Sequence, residues 1–269
     1  MLAALAARTQ RVRLATTSLL LPLHHPLRVA AETATLDALS GGRLWLGLGR
    51  GFRAPVFEGF EVEAATKRDR FDEALDALLA AWSGEEVTLA GAHFAARAGA
   101  RLSLGLRPVQ RPHPPLVVAA FGRKGLLQAA RRGLPYLASP LEPLAALEQN
   151  YALWRAHCQA GAAPAVTTPV MRSVFVARDD AEARHVRDAL AGEARAIAAS
   201  APPALARAAG GALDERVLVG TAHEVRDGIA RYRERLGMDL LVARCEVGGA
   251  PPARRDAALD RLAEIAAGS

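Results

Sequence analysis

Three short stretches hold the residue types that could do chemistry. In Gly47-x-Gly49-Arg50-Gly51, small residues let the backbone come close to a ligand, and one guanidinium stands among them as an anion hook. In Gly122-Arg123-Lys124-Gly125, two cations sit where a loop opens a helix, so backbone N–H groups and the helix dipole could hold a phosphate there. An ordinary turn with two exposed cations is the slightly favoured reading of those residues in isolation. The third stretch is His24-His25. Adjacent histidines point to different sides and no third ligand lies nearby, so the pair suits one pocket-lining imidazole better than a metal centre. His93, His113, His157, His185 and His223 are isolated, and the chain has no nucleophile elbow, HExxH, P-loop or spaced carboxylate pair.

The glycine pattern is not a dinucleotide fingerprint. The third glycine of GxGxxG would fall at Phe52, and no helix starts directly after it. Two readings stay open: tight packing at a strand end with Arg50 on the surface, or a ligand site. Position favours the ligand, because parallel barrels build their sites at the carboxyl ends of strands.

The elements that must position these residues alternate in type. Val12 to Leu21 is a continuous apolar run that suits a fully buried parallel strand. A helix follows from about Leu27 to Leu39, stopped by Gly41, and then a strand from Arg43 to Leu48. A connection over 52–66 leads into a helix from Lys67 to Trp82. Residues 85–112 form an insertion too long for an ordinary loop, a candidate lid or rim. Further strands are expected at Leu116–Ala120, Gly133–Ala138, Pro169–Ala177 and Asp239–Val247, each followed by a helix, with residues 200–215 as loop or broken helix. Thr221-x-x-Glu224 is a capping box that opens one of these helices. Six strand–helix units result, which points to a parallel α/β fold: a (β/α)8 barrel two units short at its N-terminal side, or an open sheet.

Composition narrows the function classes. The chain has 269 residues, 51% hydrophobic and 5% aromatic, and no apolar run of the length that spans a bilayer. A net charge of +6 raises nucleic acid as a partner, but the arginines are scattered between acids along helices, as on solvated faces. Cys158 and Cys245 lack CxxC or His partners and read as free buried thiols in a cytoplasmic setting, and the N-terminus lacks signal-peptide character.

The chain resembles the bacterial luciferase-like flavin monooxygenase family. The matching stretches are Leu20-Leu21-Pro22-Leu23-His24-His25-Pro26, the block from Glu32 through Asp37-Ala38-Leu39-Ser40-Gly41-Gly42-Arg43 to Gly51, and Arg107 to Pro115. Gly133-Leu134-Pro135, Val219-Gly220-Thr221 and Cys245 to Gly249 also match, so the likeness covers essentially the whole chain. It implies a single (β/α)8 barrel domain over residues 1–269, with the insertion at about 85–112, lacking the first two βα units of the family through truncation.

The resemblance also implies the activity: oxidation of a small organic substrate with reduced FMN and molecular oxygen, the reduced flavin coming from a separate reductase. A deazaflavin serving hydride transfer and a non-catalytic flavin-binding remnant are the alternatives. A homodimer is expected, without nucleic-acid or membrane partners. Arg50 matches the flavin-phosphate contact, with Gly49 and Phe52 beside it, and Ala120, Phe121, Gly122, Arg123 and Lys124 match the segment completing that contact. Relatives offer Ser or Thr hydroxyls in this last segment, where this chain has Phe121, Gly122 and Gly125. Thr17-Ser18 matches a non-proline cis peptide beside the flavin ring, and His25 a catalytic position near the pocket.

Overall fold

The computed structural model describes residues 1–97, 100–158, 167–200, 203, 206, 211–248 and 250–267. The chain forms two compact units, Met1–Ala119 and Ala120–Ser269.

The first unit opens with α1 (Leu2–Arg8) and β1 (Leu14–Leu20), then α2 (Pro26–Leu39) and β2 (Leu44–Gly49). Pro26 starts α2 at a position whose N–H would have no helical partner, and Ser40 and Gly41 turn the chain out of it. A short helix α3 (Ala54–Gly59) and a 3₁₀ turn lead into α4 (Lys67–Ser83), and β3 (Leu116–Ala119) closes the unit. The three strands run parallel in the order β1-β2-β3. Leu44, Leu46 and Leu48 of β2 are buried in the core together with Phe71, Leu75, Leu78 and Trp82 of α4, and α4 packs on α2.

Two findings here differ from the sequence reading. β1 is not buried on both faces: Ala15 and Thr17 are exposed and Ser18 to Leu20 half-buried. An apolar run reports hydrophobicity but not the number of neighbouring strands, and within this unit β1 pairs only with β2. The connection 52–66 also contains helical turns, α3 among them, which are too short for a helical stripe to be legible.

The insertion is tied down by hydrogen bonds rather than by a sheet. Isolated antiparallel bridges join Val87 to Leu102 and Ala90 to Ala95. Glu73 of α4 accepts the backbone N–H groups of His93 and Phe94, at 3.0 Å and 2.6 Å. Asp37, fully buried, accepts the Gln110 backbone N–H at 3.0 Å and side-chain amide at 2.7 Å, so it pins the segment that returns to β3. Arg43 reaches back to the carbonyls of Ala6, Thr9 and Val12 and fastens the N-terminal turn to β2. Much of the residue block that carries the family likeness is therefore fastening.

The second unit runs α5 (Arg123–Arg131), β4 (Tyr136–Leu137), α6 (Leu144–His157), β5 (Pro169–Val176), α7 (Asp180–Ser200), β6 (Val217–Gly220), α8 (Ala222–Leu236), β7 (Leu240–Arg244) and α9 (Pro252–Ala267). β5 is central, with β6 on one edge and β7 on the other, all parallel, and Ala138 bridges to Val170 beside the start of β5. Phe175, Val186, Leu190, Val217, Val219 and Ala258 form a core cluster where α7 and α9 meet this sheet. The capping box is formed: the Thr221 backbone N–H donates to Glu224 at 2.7 Å, and Gly237 ends α8 in the left-handed region.

β6 is a strand that the sequence reading did not separate. Its four residues sit directly before the capping box, and so short an apolar run carries no period to read. The expectation for residues 200–215 falls mainly on 201, 202, 204, 205 and 207–210, outside the described residues. Cys158 and Cys245 form no disulfide and are half-buried rather than fully buried. Among the described residues no helix is long and apolar enough to cross a membrane.

Candidate functional site

In the first unit the site is built where β1 and β2 end side by side. Their pairing runs in step from Leu14↔Leu44 to Thr17↔Gly47, skips Ser18, and resumes at Leu19↔Leu48. The Thr17–Ser18 peptide bond is cis, as the family likeness implied. Ser18 is half-buried, and its hydroxyl lies over Gly49: a methyl group on Gly49 would collide with Ser18 Oγ, and one on Gly47 with the Thr16 carbonyl oxygen. These two glycines are thus required by the close approach of β1 to β2. Gly51 has φ +75°, and the Phe57 ring lies 3.0 Å from where its Cβ would be. The chain turns sharply as it leaves β2, with Phe52 half-buried beyond the turn.

Arg50 follows Gly49 directly and is only 9% exposed. Its guanidinium is held below the usual arginine range, at about 10, first by burial and then by the positive charge of Arg68, with Asp72 acting in the opposite direction. The ammonium of Lys67 is also pushed down, by burial and then by Arg50 and Arg68. Three cations therefore share one neighbourhood at the β2 exit and the first turn of α4, with a carboxylate offsetting part of their charge. The sequence reading singled out Arg50 alone. Lys67 and Arg68 lie seventeen or so residues further on, and only the packing of α4 brings them near; no local motif marks them.

His25 caps the start of α2, and its side chain is exposed, with the ring edge-on to Phe94 at 5.9 Å. His24 meets Phe60 in the same fashion at 6.2 Å. Phe94 also lies under the Arg70 guanidinium, at 4.7 Å. Among the described residues no His, Cys, Asp and Glu cluster could hold a metal ion.

The remaining sequence-selected residues, Ala120 to Lys124, open the second unit. Ala120 is buried, and Phe121 and Gly122 are half-buried. Gly122 is the N-cap of α5 at φ +70°, and Arg123 and Lys124 stand exposed on its first turn.

Comparison with known proteins places this geometry. The profile of a family described as luciferase-like monooxygenase matches residues 1–239. The crystal structure of the monooxygenase RslO1 from Streptomyces bottropensis is 30% identical with a TM-score of 0.78, covering 98% of this chain and 80% of that one. The oxygenating constituent of 3,6-diketocamphane monooxygenase from Pseudomonas putida, in complex with FMN, shares the fold at TM-score 0.75 and 19% identity, covering 98% and 81%. An F420-dependent glucose-6-phosphate dehydrogenase from Beutenbergia cavernae is 38% identical over 140 residues, 49% of this chain and 39% of that protein. The chain spans less than half the length of the curated relatives it matches.

Proposed function

The chain belongs to the luciferase-like monooxygenase family, and from that premise we propose that it is an FMN-dependent monooxygenase acting on a small organic substrate. The observation that carries this reading is the buried Arg50 among like charges. Burial and the neighbouring cations disfavour the Arg50 charge, Asp72 offsets part of this, and a dianion such as the flavin phosphate would offset more. The donor set fits that group.

Arg50 would hold the phosphate through its fork, with Arg68 and Lys67 adding charge. Gly49 keeps the strand end narrow, Gly51 turns the chain away, and Phe52 supplies an apolar surface beside it. Thr17 and Ser18 are the proposed contacts for the flavin ring, through the backbone and the Ser18 hydroxyl. His25 is the proposed proton-handling group at the substrate. Ala120, Phe121, Gly122, Arg123 and Lys124 are proposed as further cofactor contacts, of which Arg123 and Lys124 offer charge. Reduced flavin, when bound, supplies the electrons with which molecular oxygen is activated. The protein's share of the work is to bind, orient and exclude water. We further propose a separate reductase as the source of reduced flavin, a homodimer and a cytoplasmic setting.

The test is a paired titration of the intact chain with FMN and with a deazaflavin cofactor of the F420 type, read by fluorescence. Tighter binding of FMN supports the oxygenase. Preference for the deazaflavin supports hydride transfer, the chemistry that the name of the Beutenbergia protein carries. Binding of neither removes the proposal.

A further inference from the structure

We infer that the second unit carries a carboxylate-binding pocket of its own, in which Arg216 and Arg244 receive the anionic head of a small organic ligand.

The pocket lies where the central sheet changes neighbours. Ser173 of β5 pairs with Val217, the first residue of β6, and with Arg244, the last residue of β7. One neighbouring strand therefore ends and the other begins at a single rung, on opposite edges of β5. A cavity of about 20 Å³ sits there, with Leu190 and Leu213 as apolar walls and Ser173, Glu193, Arg216 and Arg244 as polar ones. That volume has room for one small polar group, and the leucines give its carbon chain an apolar path.

The charges are unequal. Arg244 donates to Glu193 at 3.0 Å, and the other Glu193 oxygen accepts the Gly248 backbone N–H at 2.9 Å, so this carboxylate is fully engaged. Arg216 is 8% exposed, and its Nε is buried with no hydrogen-bond partner. Its only described hydrogen bond is a long one, 3.4 Å to the Gly211 carbonyl. Burial and the nearby Arg172 push the Arg216 guanidinium down from its ordinary value. Among the described residues two guanidinium groups line the cavity against one carboxylate, and Arg172 adds positive charge nearby. A carboxylate suits the pocket, since its two oxygens match the guanidinium fork and it carries a negative charge.

The experiment uses the intact chain without flavin. Thermal unfolding is followed at fixed pH and ionic strength in sodium propionate, in propionamide and in sodium chloride, and FMN is titrated in parallel. The expected result is a saturable rise in Tm with propionate alone. Arg216→Gln should weaken propionate binding by roughly tenfold or more, and Arg216→Lys should keep part of it. Far-UV circular dichroism confirms that each variant is folded, and if R216Q is not, R216K decides: weakened but saturable binding supports the pocket, and unchanged binding overturns it. A propionate response no larger than that of chloride, or equal in R216Q, also overturns it. Binding of propionate with no binding of FMN removes the flavin reading and leaves the pocket; the reverse removes the pocket alone.

Discussion

Arg50 in the first unit and Arg172 in the second are both buried arginines, in opposite surroundings. Arg172 is fully buried and saturated. Its Nε donates to Tyr232 Oη at 2.7 Å, and its terminal nitrogens donate to the carbonyls of Ser139, Met171 and Glu142. Tyr232 passes its own proton on to the Glu215 carbonyl, and its ring lies beneath the guanidinium at 4.9 Å. The neighbouring Glu142 is held by Tyr136, Asn150 and the Ser139 N–H, with burial raising its carboxyl and the hydrogen bonds opposing that rise. Arg50 instead sits among further cations, with Asp72 offsetting part of their charge. The difference separates a buried charge that organises the protein around itself from one whose surroundings favour an incoming anion.

The largest expected effect breaks the saturated side. Arg172→Met leaves three carbonyls and a tyrosine hydroxyl without their donor, and the folded state should lose about 3–5 kcal/mol by urea denaturation. A loss below about 1 kcal/mol would mean that the network is not the structural core it looks to be. Arg50→Ala tests the other side. FMN affinity should fall roughly thirtyfold or more.

The same arginine sets a pH dependence. Its folded value, about 10, lies below the ordinary arginine range, so folding disfavours the cation. Stability from this group is therefore lowest below about 10 and recovers as pH rises above it, whereas FMN affinity should drop as pH passes through about 10. FMN titrations across that range, compared with Arg50→Ala, isolate the effect. Gly49→Ala drives a methyl group into the Ser18 hydroxyl and should cost about 1–3 kcal/mol, read from the thermal unfolding midpoint. Lys124→Ala is the smallest change. The side chain is exposed, so stability should move by less than about 0.5 kcal/mol, and any loss of FMN affinity would credit the α5 entrance with part of the binding.

What was legible beforehand depended on how local the signal was. The long helices α2, α4 and α8 carry their stripes and stop signals within a single stretch, and the strand β2 is an apolar run interrupted only by glycine. β6 and α3 are shorter than the periods that identify strands and helices. The family likeness named Arg50 and the Thr17–Ser18 peptide, but it did not separate binding residues from fasteners. Asp37 and Arg43, inside the most specific block, turn out to hold Gln110 and the N-terminal turn.

The sequence by itself determined the alternation of strands and helices, the family, and the glycines that allow β1 and β2 to touch, because each is written in adjacent residues. Only the tertiary structure decided which arginines are buried and in what company. Arg50, Lys67 and Arg68 share one field, Arg172 is saturated by residues from three elements, and Arg216 lines a small cavity with Arg244 and Glu193. Burial and charge balance are sums over neighbours far apart in the chain, and no local spacing encodes them.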